Sequence, residues 1–196
     1  MSGLMDLLTQ QLGGSVMEQM GQKLGANPQA TQAAMGAALP AILAGLAKNA
    51  QSNDGAQALS EALERDHDGS VLNDALGAIN APNESAGNGI LGHVLGGRRS
   101  AVETGVAQAS GLNPAQAASM MTMLAPMVMG ALGRQKREQS MDAGGLASML
   151  SGERQSLEQK GAGGFMRLLD ADGDGNVADD LMKHGKNILG GLFGRR

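Results

Sequence analysis

The residues with the sharpest chemistry in this chain are three aspartates at alternate positions, Asp170, Asp172 and Asp174, followed by Gly175 and Asn176. Carboxylates at the first, third and fifth places, a glycine for the turn at the sixth and a backbone carbonyl at the seventh are how an EF-hand loop wraps calcium. Asn176 would supply that carbonyl, and Val177 takes the apolar place after it. The end of the loop departs from the pattern: a bidentate glutamate belongs at the twelfth place, and the chain has Leu181 there, with Asp179 and Asp180 just before it. Either the loop is one residue shorter and Asp180 closes the shell, or the shell is incomplete and weak. A third reading needs no ion, only an aspartate-glycine turn whose Asp179 caps the next helix. Without a cation, carboxylates crowded into one turn repel one another, so calcium is the expected ion and Asp170, Asp172, Asp174, Asn176 and Asp180 its expected ligands. Glu64, Asp66, Asp68, Gly69 and Asp74 form a degraded copy of the same pattern.

Other motifs carry less. Gly87, Gly89 and Gly92 match a dinucleotide fingerprint as a bare string, but no strand precedes them and no βαβ unit surrounds them. In a chain with 31 glycines they serve better for close helix contacts or turns. His67, His93 and His184 lie too far apart for a zinc pair at helical spacing. Met120, Met121, Met123, Met127 and Met129 read as packing rather than soft-metal ligation. No acid, base and nucleophile converge in the sequence, so no catalytic residue is assigned.

The elements that must hold the aspartate loop are helical and read as duplicated. Gly25, Asn27, Pro28 and Pro40 recur as Gly111, Asn113, Pro114 and Pro126. The stretch from Glu64 to Asp74 recurs from Asp170 to Asp180, and the stretch ending at Arg98-Arg99 recurs in the one ending at Arg195-Arg196. Three markers in the same order place a seam near Arg99, with a first helical repeat over 1–99 and a second over 100–196; residues 81–87 are expected as the loosest loop. Ser15 with Glu18 predicts a capping box, Gly25 a left-handed helix end, and Asn27-Pro28 and Asn113-Pro114 the starts of long helices. Met35, Leu39, Ile42, Leu43 and Leu46 then recur at three- and four-residue steps, as do Met120, Leu124, Met127, Val128 and Leu132. Pro40 and Pro126 should kink these helices. Shorter helices are predicted over 56–64, 71–79, 143–150, 164–169 and from 179 toward 193.

Composition narrows the function. The 196 residues include no cysteine, tryptophan or tyrosine and two phenylalanines, Phe165 and Phe193. That excludes disulfides, thiol chemistry and an aromatic platform for stacking bases. Valine, isoleucine and threonine number 15, too few for a sheet. The class is therefore all-α, a helical bundle with glycine-rich loops. A net charge of −4 offers no general attraction for nucleic acid or anionic lipid. The basic groups at Arg98-Arg99, at Arg134, Lys136 and Arg137, and at Arg195-Arg196 are expected to complement helix C-termini. The first fourteen residues lack the basic and apolar regions of a secretory signal, so the expected location is cytoplasmic. Two apolar stretches, 33–47 and 117–133, are short for a membrane span and carry central prolines; they read as buried helices.

The Asn27-Pro28 helix leading to Leu39-Pro40, the segment from Gly89 to Gly96, the segment from Gly145 to Gly152 and the aspartate loop with Asp179-Asp180 together resemble a bacterial family, domain of unknown function 937, also called YidB-like. The resemblance spans nearly the whole chain. It implies a small helical domain and carries over no activity or catalytic residue. Asp179-Asp180 is similar to the family's usual ending, which implies a purposeful short loop. The expected role is non-enzymatic binding or scaffolding, through a protein partner or self-association. The alternative is a membrane-active or exported protein inserting its kinked apolar helices.

Overall fold

The computed structural model describes residues 3–159, and these are helical, with no strand among the described residues. In chain order the helices are α1 (Leu4–Gln11), α2 (Ser15–Leu24), α3 (Pro28–Asn49), α4 (Asn53–Asp66), α5 (Ala75–Asn80), α6 (Glu84–Leu95), α7 (Arg99–Ser110), α8 (Pro114–Glu138) and α9 (Ala143–Leu157). Short 3-10 turns at Ser70–Leu72 and Gly96–Arg98 precede α5 and α7. The expected helices over 164–169 and from 179 toward 193 lie outside the described residues.

Local chemistry sets most boundaries. Asn27 and Asn113 are extended and cap α3 and α8, their Oδ1 atoms accepting from the backbone N–H of Ala30 at 2.8 Å and Gln116 at 2.9 Å. Pro28 and Pro114 follow at the first helical position, where a missing N–H costs nothing. Upstream, Gly25 and Gly111 end α2 and α7 in the left-handed conformation, at φ 63° and 75°. The two helix-turn-helix units thus use one set of caps. Both long helices continue through Pro40 and Pro126.

Three boundaries differ from expectation. Ser15 is the first helical residue and not the cap: Gly14 holds that place at φ 58°, with its carbonyl accepting from Glu18 N–H, and no side chain caps α2. The helix predicted over 71–79 is divided, because Asp74 leaves helical geometry to cap α5 through Gly77 N–H at 2.9 Å. The loop predicted over 81–87 is shorter, since Asn83 accepts from Ala86 N–H and starts α6 at Glu84.

α3 and α8 pack against each other at the centre. α3 is covered by α7, α9, α2 and α6, and α8 by α6, α7, α1, α4 and the turn at Ser70–Leu72. All ten periodic residues named above on α3 and α8 are buried. Ala34, Ala37, Ala38, Ala41 and Ala47 are buried too, so α3 is enclosed on most of its circumference rather than along one stripe. Both long helices are apolar and long enough to cross a membrane, but 72% of each apolar window is already buried within the fold. One hydrophobic cluster runs from Leu4 to Leu157.

Candidate functional site

The ligand set read from sequence, Asp170, Asp172, Asp174, Asn176 and Asp180, lies outside the described residues. The stretch at 64–74, which shares its sequence pattern, lies within them and forms a helix-loop-helix turn between α4 and α5. Gly69 is left-handed at φ 84°, and it aligns in sequence with Gly175. Asp68 Oδ1 accepts from Ser70 N–H at 2.9 Å, and Asp74 caps the following helix.

Each acidic side chain of this turn has a partner in the protein. Glu64 pairs with the ammonium of Lys136, a lysine only 6% exposed. Asp66 accepts from Arg65 Nε at 2.9 Å; that hydrogen bond holds its carboxyl below the ordinary carboxylate range and Arg65 above its own. Asp68 is held low by hydrogen bonds from the Ser70 side chain and backbone. From α8, Arg134 Nη2 donates to the Gly69 carbonyl at 3.0 Å and to Asn73 Oδ1 at 2.7 Å. Among the described residues no three histidines, aspartates or glutamates converge as metal ligands. His67 ends α4 half-buried, and burial pushes its imidazole below the ordinary value, with Asp66 opposing.

The turn can lie so close to α8 because that helix presents glycines to it. A Cβ at Gly130 would stand 2.5 Å from Val71 Cγ1, and one at Gly133 would overlap the His67 carbonyl oxygen. The same device joins α6 to α8, where a Cβ at Gly87 would overlap the Thr122 carbonyl. The glycine string at 87–92 is thus part of a helix that packs closely, and not a phosphate loop.

Among the described residues, two clefts stand out on the surface. One, of about 280 Å³, is lined by Lys23, Glu84, Asn88, Arg99 and Thr122, among others. Its cations are committed to protein oxygens: Arg99 Nε to Glu103 and Nη2 to Asn88 Oδ1, both at 2.6 Å, and Lys23 Nζ to the Asn80 carbonyl at 2.7 Å. Arg99 therefore ties the start of α7 to α6, which corrects the expectation that it complements a helix C-terminus. The other cleft, of about 530 Å³, runs between the end of α3 and α9 past Ala47, Ala50, Ser148, Ser151 and Arg154.

Sequence reading missed Arg134 and Lys136 as loop partners because basic residues near a helix C-terminus already have an explanation in the helix dipole. The signal that points to them is Gly130, Gly133 and Arg134 at helical spacing, a bare patch with a guanidinium beside it.

No curated protein and no solved structure matches the chain. The model of one family, described as a bacterial protein of unknown function (DUF937), matches residues 6–135 and again 136–196, the two matches meeting inside α8. With nearly its full length matched, and with the helical architecture that the resemblance implies, the chain belongs to the DUF937 family.

Proposed function

We propose that this protein is a non-enzymatic binding or scaffolding module, built from a duplicated helical unit, whose loop at 170–180 takes calcium. The observation that carries the reading is the turn at 64–74, where a stretch of the same pattern folds as helix-loop-helix with a left-handed glycine at the sixth place and a capping aspartate at the eleventh. In the other copy the local cation and imidazole are gone: Ala171 stands for Arg65 and Gly173 for His67, while Asp170 replaces Glu64. Removing an internal positive charge and shortening the first carboxylate both suit an external ion. Asp170, Asp172, Asp174 and Asp180 would give carboxylate oxygens and Asn176 its carbonyl. The matched caps of α2–α3 and α7–α8 support the duplication. A protein partner or a second copy in the cytoplasm is the intended ligand, not nucleic acid.

Calcium titration of the full chain by calorimetry tests the loop. A saturable heat in the wild type that is lost in Asp172→Ala and Asp174→Ala is the expected result. Flat traces from all three proteins would end the calcium reading.

A further inference from the structure

We propose that Arg134 and Lys136 on α8 replace a divalent ion at the 64–74 turn, so that this copy is locked by side chains and takes no cation. The inference rests on reading the two loops as copies, but it concerns residues on which the calcium reading does not depend.

The geometry accounts for each carboxylate a metal would use. The first-place carboxylate, Glu64, goes to Lys136. The third, Asp66, goes to Arg65, and the fifth, Asp68, accepts from Ser70 N–H. Asp74, in the place of the closing Asp180, is spent on capping α5. Arg134 then spans the turn, gathering the Gly69 carbonyl and the Asn73 side chain on one nitrogen. A cation works in such a loop by drawing several oxygens together against their mutual repulsion. Two fixed cations on one helix do the same, and a planar guanidinium with several donors suits scattered oxygens. The Lys136 side chain is largely buried, and its pairing with the more exposed Glu64 carboxylate offsets part of the cost of withdrawing it from water. Gly130 and Gly133 bring the turn within reach of both.

The test is amide hydrogen exchange on the full chain, with calcium calorimetry beside it. Arg134→Met, which keeps the aliphatic stem, should speed exchange at Leu72 and Asn73 about tenfold, since the Gly69 carbonyl that holds the Leu72 amide and the Asn73 side chain both lose their anchor. Arg134→Lys should recover part of the protection, and amides in the middle of α3 should not change, which separates loop release from general unfolding. Unchanged exchange at Leu72 and Asn73 in Arg134→Met would overturn the proposal. So would a calcium heat that survives Asp172→Ala and disappears when Asp68→Ala is added. If wild type shows no calcium heat, the 170–180 reading fails alone, and the exchange result still decides this one.

Discussion

His67 stands where three influences on a single side chain can be separated. Its imidazole is half-buried at the end of α4 and held below its ordinary value by that burial, with Asp66 pulling the other way and Arg65 adding to the depression. A folded value below the unfolded one means that the unfolded chain binds more protons, so the contribution is present above the unfolded value, near 6.5, and is lost as pH falls through the folded one. Asp66 and Asp68 are also held low, and their contribution disappears further down, below the ordinary carboxylate range. Both are exposed, so salt screens that second step. The denaturant midpoint should therefore fall from about pH 7.5 to about pH 5.5, and His67→Gln should flatten this slope. A slope unchanged by the substitution would assign the titration to another group. Glu153 acts instead on a helix end. Its Oε1 accepts from Leu4 N–H at 2.7 Å, at the start of a helix whose cap, Gly3, has no side chain to offer. Glu153→Ala should cost about 1 kcal/mol in urea unfolding, with the loss centred on α1. Equal stability would remove the capping role.

Glycine decides how the elements approach, and its effect depends on what faces it. Gly133→Ala puts a methyl group onto the His67 carbonyl, and the backbone must shift; a loss of about 1–3 kcal/mol is expected from thermal melts. Gly36 lies in the middle of α3 with open space where a Cβ would go, so Gly36→Ala should gain about 0.5–1 kcal/mol from helix propensity. If both changes shift the melting temperature alike, close approach is not what Gly133 provides. The same contrast explains which elements were readable beforehand. Asn27-Pro28 and Asn113-Pro114 announce their helices because cap and first turn lie within four residues. α6 did not announce itself: Gly87, Gly89 and Gly92 look like loop residues, yet Ile90, Leu91, Val94 and Leu95 bury its face against the long helices. Tertiary burial there overrides weak helix propensity. α1 and α7 were missed for a related reason, since each is short and gains its stability from α8, α3 and their neighbours.

Among the described residues, one apolar cluster joins the helices before Arg99 to those after it, and α3 is covered largely by α7, α8 and α9. A shared core predicts a single cooperative unfolding transition for residues 3–159, not one for each half. Leu124→Ala, at a fully buried position on α8, should lower stability by about 2–5 kcal/mol and move that whole transition. Two separable transitions in calorimetry, with only one shifted by the substitution, would show independent units. From the sequence alone came the helical class, the caps of the long helices, the buried positions along them and the acidic chemistry of the loops. All of these are written in residues a few places apart, where hydrogen bonding and periodicity act without knowledge of the rest of the chain. What α8 does for the 64–74 turn was settled only by packing: Arg134 reaches Gly69 across 65 residues, Lys136 reaches Glu64 across 72, and Glu153 reaches Leu4 across 149. Contacts over such separations depend on how helices stack, and stacking is decided by volume and close approach among many side chains at once.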